Sequence, residues 1–377
     1  MIDKDIVLKS WDLSTVPSPC YVLHETLLEE NMRVIDKVRR ATGVEVIVAL
    51  KANAMWSIFP ELRKHSDGAT ASSLAEAHLV FEEYGKSAHT YAPVYSENEI
   101  DEILSYSSHI TFNSLGQYKR FGERAHQAGV SCGLRVNPEF STVETDLYNP
   151  ASPISEWPDG VDGLHFHSLC ESRPADLRGT LTAVEKRFGH FFHKLKWLNM
   201  GGGHLMTHKD YDEDELIAIL CDFKARYPHL RVILEPGSAF TWDTGCLVST
   251  VEDKVFNGGV NTLMLNVSFA CHMPDCLEMP YKPTILGAHD PEDGEKVWKM
   301  GGNSCLAGDF YGDWAFDEDR EPQVGDKIVF RDMIHYTMVK TTMFNGVTHP
   351  SIGIWNPEKG FRLVKKFGYK DYKERMS

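Results

Sequence analysis

The sequence predicts an α/β fold, a (β/α)8 TIM-like barrel joined to an all-β domain. Two observations carry this. Short β-like runs recur eight times, with room for a helix and its loops between them, which is the rhythm of a parallel barrel. After about Gly237 that rhythm stops, and strand-like segments alternate with Gly, Pro, Asp and Asn instead. The first run is Val44-Glu-Val-Ile-Val-Ala-Leu50, whose valines suit a strand covered on both faces. It is followed by Gly68–Ser72, His89–Val94, His109–Asn113, Cys132–Val136, Gly163–Phe166, Lys196–Met200 and Arg231–Leu234. Helical periodicity fills the gaps over Ala75–Tyr84, Glu97–Tyr106, Leu115–Ala128, Asp176–Phe188 and Asp214–Tyr227.

The later strands are expected at Gly245–Val255, Asn261–Val267, Lys327–Tyr336 and Ser351–Trp355, ahead of a polar tail. Cys20–Leu23, behind Pro17 and Pro19, reads as a strand of the same β-domain. The expected division is therefore a barrel over residues 24–238 and a β-domain made of 1–23 and 239–377. No Pro- or Gly-rich linker separates the two.

Composition bounds the function. A hydrophobic content of 42% over 377 residues supports a full core. No apolar run approaches the ~20 residues of a membrane span, and the start, Met-Ile-Asp-Lys-Asp-Ile-Val, lacks the pattern of a signal peptide. Eight cysteines without CxxC spacing read as reduced thiols, so a cytoplasmic protein is expected. A net charge of −15 disfavours nucleic acid and anionic membranes and is compatible with a cationic substrate.

Barrel chemistry gathers at the C-terminal ends of the strands. There the sequence places Lys51, Ser72/Ser73, Asn113, Arg135, His167, Gly201-Gly202-Gly203 and Glu235. A desolvated strand-end lysine loses its proton easily, as a Schiff-base amine must, although such a lysine also serves simply to snorkel out of a core. Three glycines let backbone N–H groups approach a phosphate, or form a tight turn. Glu235 suits a protonated pyridine nitrogen, or a plain strand exit. His167 can stack on a ring or fill a core. Together the groups match the needs of pyridoxal 5'-phosphate. Ser73 and Glu76 fit a capping box whatever else they do. The histidines lack metal-ligand spacing, so no metal is expected.

The motifs Ala-Leu-Lys51-Ala, Gly-Leu-His-Phe-His167-Ser-Leu-Cys-Glu171, Asn-Met-Gly201-Gly-Gly-His204 and Leu-Glu235-Pro-Gly occur in that order. They are followed by Asn303-Ser-Cys305-Leu-Ala-Gly-Asp309, Ile334-His-Tyr336-Thr-Met-Val-Lys and Phe367-Gly-Tyr-Lys-Asp-Tyr. This ordered set resembles the carboxynorspermidine/carboxyspermidine decarboxylases, alanine-racemase-like (fold type III) pyridoxal phosphate enzymes of polyamine biosynthesis. The resemblance implies a homodimer with shared active sites, each built from one subunit's barrel and the other's β-domain. It implies Lys51 as the Schiff-base lysine, Glu235 as the pyridinium partner, His167 on the ring with Arg135 nearby, and Gly201–Gly203 with Tyr336 on the phosphate. Cys305 is implied as the acid that reprotonates the carbanion, and Asp309 as part of the partner-side wall. A carboxylated polyamine is cationic at its far end, so Glu171, Asp275 and Glu278 are candidates to meet it.

Three departures stand out. The Ser-Arg-Leu-Gly or Lys-Phe-Gly element of related enzymes is missing where this chain runs Tyr148 to Gly160. Ser238 follows Glu-Pro-Gly where amino-acid decarboxylases of this fold often carry arginine. Leu306 follows Cys305 where relatives acting on ornithine or diaminopimelate carry an acid. That last change argues against the alternative of a diaminopimelate, arginine or ornithine decarboxylase. The remaining alternatives are an amino-acid racemase and a non-catalytic pyridoxal phosphate carrier, which would be a barrel alone.

Overall fold

In a computed structural model, residues 4–140, 154 and 156–377 are described. They form two compact units, Asn31–Phe240 and Met1–Glu30 with Thr241–Ser377. The first division falls inside the helix Glu25–Thr42, a few residues later than the sequence places it.

The Asn31–Phe240 unit is a closed barrel. After β1 (Cys20–His24), which belongs to the other unit, come β2 (Glu45–Ala49), β3 (Gly68–Ala71), β4 (Ala88–Tyr91) and β5 (Ser107–Phe112). The ring continues through β6 (Ser131–Arg135), β7 (Gly163–His165), β8 (Trp197–Asn199) and β9 (Arg231–Leu234). Every neighbouring pair is parallel, and β9 returns to β2 with Glu45 opposite Ile233 and Val46 opposite Leu234. All eight sequence-read strands are present. Three of the helices between them start on side-chain caps: Ser73 Oγ accepts from Glu76 N–H at 3.2 Å, Ser114 Oγ from Gln117 N–H at 3.2 Å, and Asp212 Oδ1 from Glu215 N–H at 2.8 Å.

The interior is filled from the N-terminal side by one large side chain. Trp197, 2% exposed, lies over Gly133 and Gly163, where a Cβ would fall 2.2 and 2.0 Å from its ring. No residue but glycine leaves room for it. Trp197 clusters with Ile47 and Ile233, and its Nε1–H donates to Ser131 Oγ at 2.9 Å. Beside it His89 and His109 stack with ring centroids 3.9 Å apart. Burial drives the proton affinity of both below the ordinary histidine range, His109 to about 4.

The other unit is a nine-stranded sheet. Its strands are β1, β10 (Gly245–Asn257), β11 (Val260–Leu265), β12 (Ala288–His289), β13 (Trp298–Gly301), β14 (Phe310–Phe316), β15 (Lys327–Arg331), β16 (Ser351–Asn356) and β17 (Gly360–Lys365). The path runs β12-β14-β13-β11-β10-β1-β16-β17, with β15 also on β10. The length of β10 explains this: its first half pairs β1 and β15, and past an irregularity at Val251/Asp253 its second half pairs β11. The polar tail forms a helix, Tyr369–Met376. Among the described residues no helix is long and apolar enough to cross a membrane, and no group of His, Cys, Asp and Glu is placed to hold a metal. Tyr148–Pro153 and Ser155, within the stretch that departs from related enzymes, lie outside the described residues.

Candidate active site

The period of two along a strand puts Thr70, Tyr91, Arg135, His165 and Asn199 at the C-terminal ends of β3, β4, β6, β7 and β8, with Lys51 and Glu235 just past β2 and β9. Their contacts run around the ring. Tyr91 OH donates to Asn113 Oδ1 at 3.0 Å. The Arg135 guanidinium lies 4.5 Å from the Tyr91 ring centroid, and His165 meets the same ring edge-on at 5.3 Å. His165 Nε2 is 3.5 Å from Glu235 Oε2, and Asn199 Nδ2 donates to Glu235 Oε1 at 2.7 Å. The chain of contacts ends where Asn199 Oδ1 accepts from Gly201 N–H at 2.9 Å.

Lys51 stands at the mouth of this ring. It is open to solvent on one side, yet protein atoms crowd it, and that desolvation lowers its proton affinity against the pull of Glu235. Its amine is thereby easier to free of its proton. Burial raises the Glu235 carboxyl above the ordinary range, opposed by the Asn199 hydrogen bond and by Lys51. Glu76 lies on the Lys51 side, also raised by burial, with Oε2 accepting from Ser72 N–H at 2.6 Å.

His167 is held by both neighbours. Its Nδ1 accepts from Gly202 N–H at 2.8 Å, and its carbonyl accepts from Arg135 Nη2 at 3.1 Å. Burial and the positive charges of Lys51 and Arg135 keep the ring neutral. An accepting Nδ1 on a neutral imidazole puts the proton on Nε2.

The three glycines are required by the protein's own backbone. A Cβ on Gly201 would lie 2.5 Å from the Phe166 carbonyl, on Gly202 2.5 Å from the Glu235 carbonyl, and on Gly203 2.3 Å from the Leu169 carbonyl. Gly201 and Gly203 also have φ of +70° and +92°. The tight-packing account of this triplet therefore holds, and the N–H groups of Gly201 and Gly202 already have protein acceptors. Glu171 follows on an exposed turn at φ +44°.

The remaining expected residues lie in the sheet unit. Cys305 is exposed, and its N–H donates to Asn345 Oδ1 at 2.9 Å. Asp309 is 1% exposed, and its carboxylate accepts from Ser304 N–H, Ser304 Oγ–H and Ala270 N–H at 3.0, 2.7 and 3.1 Å. It shapes the loop that carries Cys305 and does not present its oxygens to a ligand. Asp275 is buried and bound to Lys340 Nζ at 2.5 Å, and Glu278 meets the same ammonium at 2.9 Å. Two of the three carboxylates expected for the substrate's far end, Asp275 and Glu278, thus have a cation from this chain. Tyr336 sits at φ +47°, a conformation that costs a non-glycine residue about 1–3 kcal/mol.

Sequence reasoning passed over Asn199, His165 and Tyr91. Asn199 and His165 could have been found, since each stands two residues before a singled-out group, Gly201 and His167, on the same strand face.

Residues 20–334 match the family described as pyridoxal-dependent decarboxylase, C-terminal sheet domain. The chain belongs to the pyridoxal-dependent decarboxylases. It is 49% identical to carboxyaminopropylagmatine decarboxylase from Synechocystis sp., covering 98% of each chain. Its identity to carboxynorspermidine/carboxyspermidine decarboxylase from Campylobacter jejuni is 37%, over 96% of this chain and 98% of that one. The crystal structure of the Campylobacter jejuni carboxynorspermidine decarboxylase complexed with norspermidine superposes with a TM-score of 0.89 at 37% identity, covering 96% and 100% of the two chains. Membership makes this protein a decarboxylase and sets aside the carrier reading, and the fold is that of the family.

Proposed function

We propose that this decarboxylase removes the carboxyl group of carboxyspermidine or carboxynorspermidine, using pyridoxal 5'-phosphate held at the barrel mouth. The observation that supports it is end-to-end similarity, at 49% and 37%, to two enzymes whose named substrates are carboxylated polyamines. The more similar of these two extends the reading to carboxyaminopropylagmatine, whose far end is a guanidinium.

The residues fit the cofactor. An amine of lowered proton affinity, a buried acid held by an amide donor, a neutral imidazole and a close-packed glycine loop lie together on one rim. Bound there, pyridoxal phosphate supplies an aldehyde for the substrate's amine and an electron sink for the pair left behind as carbon dioxide departs. Lys51 would be the residue that holds the aldehyde, its amine easily freed of a proton. Glu235 would keep a proton on the pyridine nitrogen, and Asn199 holds that carboxylate in place through its amide. His167 is fixed by Gly202 and Arg135 as a flat neutral wall. Gly203 would serve the phosphate from the barrel and Glu171 the distal cation, while Tyr336 and Cys305 keep the roles the resemblance implies, phosphate partner and proton donor to Cα. The proposed assembly is a homodimer with shared sites, and eight thiols without a disulfide suit a reducing cytoplasm.

Carbon dioxide release by the purified, cofactor-loaded enzyme tests this. Carboxyspermidine, carboxynorspermidine, carboxyaminopropylagmatine, diaminopimelate, arginine and ornithine are offered side by side. Preference for a carboxylated polyamine is expected and ranks the three far ends. Release from an amino acid alone would overturn the substrate assignment while leaving the family intact.

A further inference from the structure

Asn199, at the end of β8, is 3% exposed and has both ends of its amide engaged. Oδ1 accepts from Gly201 N–H at 2.9 Å, and Nδ2 donates to Glu235 Oε1 at 2.7 Å. An N–H partner can be met only by the oxygen, so these two bonds also fix the orientation of the amide. The backbone repeats the link, because Glu235 N–H donates to Gly201 O at 2.8 Å. The acid and the glycine loop are tied twice, and Asn199 is the only one of the two ties that reaches the carboxylate.

We propose that Asn199 is a positioning residue: it holds Glu235 as an ionised acceptor aimed at the cofactor's ring nitrogen and keeps it in register with the glycine loop. The inference rests on the reading of Glu235 as the ring-nitrogen partner. A buried carboxyl drifts toward its neutral form, and a neutral acid presents a hydroxyl in place of a lone pair. The groups facing Glu235 are Lys51, Arg135, His165, Thr70, Tyr91 and Asn199. Lys51 changes partner during the reaction, and Arg135 is turned to Tyr91 and the His167 carbonyl. His165 is neutral and 3.5 Å away. Asn199 and Thr70 are the donors that stay put; Asn199 gives the stronger support, and of the two it is the one also bonded to the glycine loop.

The replacement Asn199→Asp isolates this role. Its size is unchanged, and an aspartate oxygen still accepts from Gly201 N–H. Only the leg to Glu235 changes, from donor–acceptor to two carboxyl groups at hydrogen-bond distance, which must share one proton. The shared proton is held more tightly than in the unfolded chain, so stability falls as pH rises through the pair's second ionisation.

The test compares wild type, N199D, E235Q and N199D/E235Q from pH 6 to 9. Absorption spectra of the bound cofactor are recorded in parallel with unfolding of the cofactor-free protein. In N199D we expect a one-proton step in the cofactor spectrum that wild type lacks, and a loss of apo-protein stability across the same pH range. N199D/E235Q restores an amide–carboxylate pair, so its stability should again be flat with pH while its cofactor spectrum stays like that of E235Q. If N199D changes stability but gives no new spectral step, Asn199 is only packing and the proposal falls. An E235Q spectrum and cofactor affinity equal to wild type would instead remove the reading of Glu235, whatever N199D does. Should N199D fail to fold, N199A removes the amide donor without adding charge or a new donor. Its spectral pH profile should move to higher pH, and an unmoved profile overturns the proposal.

Discussion

Replacing Gly203 with alanine should damage the barrel far more than the same change at Gly129, and the structure says by how much. Both glycines have left-handed backbone, with φ of +92° and +73°. Each alanine therefore carries a conformational penalty of roughly 1–2 kcal/mol. At Gly129, which ends the helix Leu115–Gln127, nothing lies within 4 Å of the new Cβ, so the penalty is the whole cost. At Gly203 the Cβ lands 2.3 Å from the Leu169 carbonyl oxygen and 2.4 Å from its carbon. Backbone has to move, which adds ~1–3 kcal/mol for overpacking. The same shift strains the Ser172 N–H bond to Gly203 O, now 2.8 Å, worth about another 1 kcal/mol. Summed, G203A should cost roughly 3–6 kcal/mol and G129A roughly 1–2. Urea unfolding of the cofactor-free proteins measures both. Costs within about 0.5 kcal/mol of each other would refute the argument that the loop is glycine because its neighbours leave no room. Pyridoxal phosphate affinity should fall for G203A and hold for G129A.

Three further outcomes are expected. His109 binds its proton less tightly folded, at about 4, than unfolded, near 6.5, so its share of stability is complete above pH 6.5 and is lost as pH falls toward 4. The lost share is on the order of 3 kcal/mol, and H109Q should flatten the acid limb of an unfolding-versus-pH curve. Asp309→Ala leaves the Ser304 and Ala270 donors without their carboxylate and should cost ~2–4 kcal/mol, with faster amide exchange at Ser304; exchange unchanged from wild type would show that another group holds the loop. Lys340→Met strands Asp275 and should destabilise by about 1–3 kcal/mol, recovered in D275N/K340M. If D275N alone instead raises KM without loss of stability, Asp275 reads the substrate and Lys340 is incidental.

The barrel was legible because its strands are set by local chemistry. The more apolar runs, such as Glu45–Ala49 and Gly163–His165, bury nearly every residue, and Ser73, Ser114 and Asp212 announce the helices that follow. Even the Ser73–Glu76 box is present, although Glu76 reaches back one residue further, to Ser72 N–H. In the sheet unit β12 is two residues long, and β14 and β17 mix polar and aromatic residues with much of their surface exposed. Those strands exist because a partner pairs with them, and a partner is not visible in a local pattern. The lysine, the acid and the glycines were readable as strand-end chemistry. The network that orients them was not singled out, since Asn199 and His165 look like ordinary strand residues until the ring closes.

The carboxylates show why residue type alone does not locate a binding site. Glu171, Asp275, Glu278 and Asp309 read alike in the sequence, as acids close to matched motifs. Folding separates them by what arrives from far along the chain. Lys340 comes from 62 residues beyond Glu278 to neutralise it together with Asp275. Asp309 turns inward onto Ser304 and Ala270. Glu171 alone of the four stays exposed with no ion pair among the described residues, and a positive φ turns the backbone there. A non-glycine residue keeps such a conformation against a cost of about 1–3 kcal/mol only when its surroundings impose it. Tyr336, at φ +47°, and Asn345, at φ +57° and bonded to Cys305, share that property. Strain of this kind leaves no mark on composition or periodicity; of the seven non-glycine positions with positive φ among the described residues, these three lie at or beside residues proposed for substrate, phosphate and proton transfer, and Glu139, Asp243, Glu318 and Asp332 do not.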